Sequence, residues 1–164
     1  MTLLQNIVGP CLRVGLMALI LIGFWGIPVG AVANYSNTNL SGRDMSGQNL
    51  AGGAFVRATL RETNLSGSNL RGATLSGANL SRANLKQADL SSALLDQADL
   101  SSADLRDALL MDSVIVRSDL TGVLISGADF SDAILDRSVQ GSLCQQAEGV
   151  NPVTGVSTFD SLEC

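Results

Sequence analysis

Ala78-Asn79-Leu80-Ser81-Arg82-Ala83-Asn84-Leu85-Lys86-Gln87-Ala88-Asp89-Leu90-Ser91-Ser92 says one thing three times in fifteen residues. Followed outward, the phase holds from Leu40 to Leu135. Every fifth residue is large and apolar, 20 hits in 20 positions. Two residues before each stands Ala, Ser, Thr or Gly in 17 of the 20, the exceptions being Arg43, Gln48 and Val123. The residue between is Asn or Asp in 12 of 20.

A period of five suits neither an α-helix, which needs about 3.6, nor a long strand, which needs 2. On a helix a five-residue step turns about 500°, so the leucines would spiral round every side and bury nothing together. Within one unit the pattern does read as a short extended step. The small residue and the leucine lie two apart and face one side, and the Asn or Asp between faces the other. The two residues that follow, as in Ser66-Gly67 and Ser76-Gly77, are turn formers. Four such steps with right-angled bends close a square coil of 20 residues, in which residue i stacks on i+20, about 4.8 Å away. The leucines then fill the interior, and Leu60, Leu65, Leu70, Leu75, Leu80, Leu85, Leu90, Leu95, Leu100 and Leu105 are its expected core. A side chain larger than Ala beside them would overpack it. Leucine-rich and helical repeats need periods of about 20 to 47 residues with unequal internal spacing and are excluded.

The A-[DN]-L-x-x unit, as in Ala78-Asn79-Leu80 and Ala88-Asp89-Leu90, resembles the pentapeptide-repeat family. The resemblance implies an all-β solenoid, a right-handed quadrilateral parallel β-helix of about five coils with four pentapeptides per coil. It implies a fold more than a task.

The ends of a solenoid must be covered. Arg43, Gln48 and Phe55 near the start, with Tyr35, could fold over one mouth, and Phe130 occupies a matching place at the other. The repeat stops after Ser138. Ser142-Leu143-Cys144-Gln145 has the form of a capping box, predicting a helix from Leu143 to Glu148 ended by Gly149. A second helical turn is expected over Phe159 to Glu163, with Leu143, Phe159 and Leu162 facing the last coil.

Residues 1–33 read as an address. Val14 to Ile27 is an uncharged apolar run of about 14 residues, preceded by Arg13, where a bilayer core needs about 20. Ala31-Val32-Ala33 has the small-x-small pattern of a signal-peptidase site, so cleavage is expected between Ala33 and Asn34. An uncleaved anchor, with the run extended to Val32, is the alternative and would be the chain's membrane contact. The expected organisation is a signal peptide over 1–33, a solenoid over 34–139 and a helical cap over 140–164. Cys11 would leave with the signal. Cys144 and Cys164 remain, and an even count in an exported chain suggests a disulfide. The tail from Leu143-Cys144 through Asn151-Pro152-x-Thr154-Gly155 to Ser161-Leu162-x-Cys164 is similar to the ending of pentapeptide-repeat proteins of the thylakoid lumen, with Phe159 departing from the usual basic residue. The resemblance implies the thylakoid lumen or the periplasm of a cyanobacterium.

Chemistry is scarce. The 164 residues hold no His, which removes the commonest general base and metal ligand. No phosphate-binding loop or C-x-x-C pair occurs. Asp112 and Asp132 should stack with Arg117 and Arg137 one corner on, but at bends facing solvent, where paired carboxylates make a poor acid–base pair or calcium site. No enzyme activity and no cofactor is expected. Ten basic against fifteen acidic residues, with no basic run, argue against nucleic-acid binding. Some pentapeptide-repeat proteins imitate duplex DNA and inhibit topoisomerases. That alternative fits the acidic charge but not an export signal or so short a solenoid.

The stacking rule also gives the exterior. One outward ladder is apolar in its later half: Ala54, Thr74, Leu94, Val114, Ile134. Val116 and Val56 flank it, and Leu109 and Met111 lie near the adjacent corner. This face is expected to bind an unidentified protein partner.

Overall fold

The structure, a computed structural model, describes residues 32–164. The expected leader lies outside them up to and including Ala31. Of the expected cleavage motif, Ala33 is inside, where its carbonyl accepts from the Ala54 N–H at 2.9 Å.

A single unit explains the whole coil. In Ala78–Arg82 all five N–H groups have partners. Ala78 donates back to Leu75 O at 2.9 Å and closes the bend. Asn79 donates to Ala58 O one coil before, whereas Leu80 donates to Asp99 O and Arg82 to Ser101 O one coil after, at 2.9, 2.7 and 3.0 Å. Ser81 is left, and its N–H donates to Oδ1 of Asn79 at 3.0 Å, an Asx turn. Buried backbone groups must be paired, and here the repeat pairs every donor with five residues.

The bridges that result are parallel and join residues 20 apart on four ladders. They run from Asn34, Asn39, Asp44 and Asn49, for example Asn39↔Thr59, Thr59↔Asn79, Asn79↔Asp99 and Asp99↔Asp119. Most rungs are isolated bridges. Among the described residues only β1 (Val114–Ile115) and β2 (Ile134–Leu135) form a strand pair, with Val114 opposite Ile134. The sides of the coil are therefore ladders one residue wide, because the bend begins directly after each inward leucine.

All ten expected core leucines are buried with no measurable exposure. Each contributes about 1.5–3 kcal/mol by leaving water. The small inward neighbour is a steric requirement, clearest at Gly53: a Cβ there would stand 2.7 Å from Cε2 of Phe55. Where Ser or Thr takes that inward place, its hydroxyl donates to a backbone carbonyl, as Thr63 does to Leu40 O at 3.0 Å and Ser118 to Leu95 O at 2.6 Å. At each bend the second residue has positive φ, for example Gly67 at 62°, Arg82 at 57° and Asp112 at 56°. Its predecessor does not, which marks the turns as type II in kind.

The ends differ in part from expectation. Tyr35 stacks on Phe55 with centroids 5.1 Å apart, while Arg43 and Gln48 are exposed. Helix α1 spans Arg137–Cys144, so it begins six residues before the Leu143 start read from the sequence, and Ser142 lies inside it. The reason is tertiary. The solenoid ends at Leu135, and the chain turns at once into a helix that lays Leu143 over the mouth, 2% exposed. The N-cap residue Asp136 does not cap α1. Its carboxylate instead accepts the Arg117 N–H at 2.6 Å.

Helix α2 spans Thr158–Ser161, capped by Ser157, whose Oγ accepts from the Asp160 N–H. Leu162 is buried, but Phe159 is 50% exposed and does not face the coil. Cys144 and Cys164 form a disulfide, beside which Gln140 Nε2 donates to Leu162 O at 2.6 Å. Between the helices, buried Asn151 staples the tail to the coil. Its Nδ2 donates to Gly127 O at 2.8 Å, and its Oδ1 accepts from the Val153 and Thr154 N–H groups. Gly149 makes that approach possible. It has φ 84°, and a Cβ on it would lie 2.8 Å from the Gly127 nitrogen.

Candidate interaction face

The Asx turn gives a rule against which each outward residue can be read. The outward residue accepts the N–H two positions on, and all twelve Asn and Asp of the series do so, as do Asn39 to Ser41, Asp89 to Ser91 and Asp129 to Ser131. Neighbouring rungs add amide ladders. Asn64 Nδ2 donates to Asp44 Oδ1 and Asn84 Nδ2 to Asn64 Oδ1, both at 3.0 Å. The same donors tune the acids. The backbone N–H and then the side chain of Ser46, with Asn64 after them, hold the Asp44 carboxyl below its ordinary value. Thr121, by side chain and then backbone, does so for Asp119. Arg106 does so for Asp104, its guanidinium first. Arg106 is held to that carboxylate at 2.8 Å through Nε.

One ladder abandons the rule. From its second rung it reads Ala54, Thr74, Leu94, Val114, Ile134, joined by the bridges Thr74↔Leu94, Leu94↔Val114 and Val114↔Ile134. The N–H groups of Val56, Ser76, Asp96, Val116 and Asp136 have no acceptor among the described residues. Each acceptor given up forgoes about 0.5–1.5 kcal/mol. Leu94 and Ile134 are 41% and 57% exposed and Val114 is half-buried, so their burial does little more than offset that loss while large aliphatic surface stays in water. Val116 and Met111 are half-buried at the two corners of this face. Leu109 stands on the adjacent ladder between Asp89 and Asp129, also half-buried. The structure thus brings Leu94, Val114 and Ile134 onto one strip, with Val116 and Met111 on its margins and Leu109 round the corner.

Sequence reading passed over Leu124, exposed on a third ladder, and the exposed Val150 and Val153 of the tail. It also missed the bonding role of the Asn and Asp, although Asn or Asp two residues before a bend N–H is itself an Asx-turn signal.

Elsewhere the surface offers little chemistry. An open groove of about 600 Å³ lies between α1 and the last rung of the Asp119 ladder. Its one titratable lining residue is Asp119, whose Oδ1 is occupied by the Thr121 N–H at 2.9 Å. Asp112 and Asp132 are exposed at left-handed bends. Among the described residues, no group of three or more His, Cys, Asp or Glu side chains could hold a metal ion.

Comparison with known proteins agrees with this geometry. The family model for pentapeptide repeats matches residues 36–77, 54–92 and 78–115. A crystal structure of a pentapeptide repeat protein from the Arabidopsis thaliana thylakoid lumen superposes with a TM-score of 0.78 at 37% identity, covering 79% of this chain and 90% of that one. The Arabidopsis thaliana chloroplast protein named thylakoid lumenal protein TL20.3 is 54% identical over 46 residues, 28% of this chain. The match spans only 16% of that relative's length. HetL, a pentapeptide repeat protein from the cyanobacterium Nostoc, aligns at 32% identity over 61% of this chain and 48% of its own, with a TM-score of 0.38. The chain belongs to the pentapeptide-repeat family, whose members form right-handed quadrilateral β-helices.

Proposed function

We propose that this protein is a non-catalytic interaction solenoid of about five coils that works in the thylakoid lumen, presenting the strip Leu94-Val114-Ile134 to a protein partner. The observation that carries the reading is the abandoned Asx rule. Folding would be served about as well by Asn or Asp at these positions, yet five successive rungs up to Ile134 lack both, and the last three are large aliphatics in contact with water. An exposed contiguous apolar strip marks an interaction site. The lumenal location is supported by the two Arabidopsis relatives, by the apolar leader with Ala31 and Ala33, and by the disulfide, which persists in an oxidising compartment.

Two measurements test it. The protein carrying Leu94→Asp with Ile134→Asp should keep its circular dichroism and lose capture of its partner from isolated lumen. Capture at the unmodified level would remove the face from consideration. N-terminal sequencing of the protein recovered from its compartment should begin at Asn34. Recovery from the cytoplasm with Met1 intact would refute the export step.

A further inference from the structure

The strip's two margins carry opposite charge, and this suggests which partner it fits. The chain enters the face at residues 111–112 and 131–132 and leaves it at 116–117 and 136–137. All rungs run parallel, so the incoming margin is always on one side and the outgoing margin on the other. The incoming bends present Asp112 and Asp132, both exposed. Arg71, lower on that margin, is paired with Asp89 at 3.4 Å. The outgoing bends present Arg57 and Arg117, and Arg137 follows the last rung as the first residue of α1; all three are exposed and in no salt bridge among the described residues. The two acids on that side are engaged internally, Asp96 by the Ser76 hydroxyl and Asp136 by the Arg117 N–H.

We infer that the occupant of the strip is a second copy of this chain, packed face to face about a two-fold axis parallel to the solenoid axis. The inference rests on the reading of the strip as a binding face. Rotation about such an axis exchanges the margins and keeps every rung at its own height. Leu94, Val114 and Ile134 each meet themselves, Met111 meets Val116 of the second copy, Asp112 meets Arg117 and Asp132 meets Arg137. A two-fold axis across the ladder instead sets each margin against itself. Centred on Val114 it opposes Asp112 to Asp112 and Arg117 to Arg117. The free charges therefore select the parallel arrangement. The ladder from Ala54 to Ile134 is about 20 Å long, from four rung spacings, and of similar width with its margins, so each copy buries on the order of 400 Å², the size of a weak, reversible contact.

The test is oxidative cross-linking of the exported protein bearing one added cysteine, with the unsubstituted protein as control. In the parallel dimer every ladder position is its own mate, so Thr74→Cys, Val114→Cys and Ile134→Cys should each give a disulfide-linked dimer, and Asn79→Cys on the next ladder should not. Sedimentation equilibrium should show a monomer–dimer exchange. Asp112→Arg with Asp132→Arg, and separately Arg117→Asp with Arg137→Asp, should each weaken it at least fivefold. Mixing these two variants should restore association. Cross-linking at a single ladder position overturns the parallel arrangement. A monomer at millimolar concentration overturns the dimer. If that monomer still loses lumenal capture on Leu94→Asp with Ile134→Asp, the face stands and its partner is another protein. If it does not, both readings fall.

Discussion

Restoring the missing acceptor is the sharpest way to ask whether the apolar strip serves folding. Leu94→Asn rewrites one rung in the majority form of the repeat. The loss is the apolar burial of Leu94. With 41% exposure, about six-tenths of the roughly 1.5–3 kcal/mol for a fully buried leucine is at stake, about 0.9–1.8 kcal/mol. The gain is a hydrogen bond from the Asp96 N–H to the new side-chain oxygen, as Asn84 makes with Lys86 at 3.2 Å, about 0.5–1.5 kcal/mol. No amide ladder forms, because the neighbouring rungs are Thr74 and Val114. The two contributions nearly cancel, and the variant should lie within about 1 kcal/mol of the parent in urea unfolding followed by circular dichroism. Binding through the strip should fall with it. A loss of more than about 2 kcal/mol would mean that Leu94 is held by packing the static exposure does not capture, and the strip would then be part of the fold rather than a surplus on it.

Other consequences follow from the same contacts. Leu90→Ala should cost about 2–5 kcal/mol in the same unfolding assay, far above Leu94→Asn, because Leu90 has no exposed surface and its rung is filled above and below. Stability should be retained at neutral pH and decline as pH falls through the carboxylate range, since Asp44, Asp104 and Asp119 are held below their ordinary values and must be protonated there. Thermal melts between pH 7 and pH 2.5 should show a shallower decline when Asp44 and Asp119 are changed to Asn, which keeps the turn and removes the titration. Cys144→Ser with Cys164→Ser should lower stability by about 3 kcal/mol while exchange protection of the central leucine amides persists, because the ring closes only the cap. Gly149→Ala should release the tail, seen as proteolysis near Val153, since its Cβ would collide with the Gly127 backbone.

What the sequence made legible is what it repeats. The ladder register, the buried leucines and the apolar strip all follow from one unit whose backbone hydrogen bonds between coils recur along the chain. The aperiodic end was harder. Ser142-x-x-Gln145 is a sound local helix start, yet the end of the coil at Leu135 leaves a mouth that must be covered at once, and the helix begins at Arg137. Phe159 is apolar and one residue from buried Thr158, but Leu162 and Ser161 take the inward side of α2 and leave the ring outside. The role of Asn151 was invisible because its donors and acceptors lie on Gly127, Val153 and Thr154, and only the fold brings the first of these near.

Every surface assignment depends on the 20-residue register, and scalar couplings across hydrogen bonds read it directly. In a uniformly ¹⁵N,¹³C-labelled sample the Leu80 amide nitrogen should couple to the Asp99 carbonyl carbon, and Leu100 to Asp119, matching N–H···O distances of 2.7 and 2.8 Å. Coupling of Leu80 to any carbonyl other than that of Asp99 would dismantle the ladders and, with them, the apolar strip.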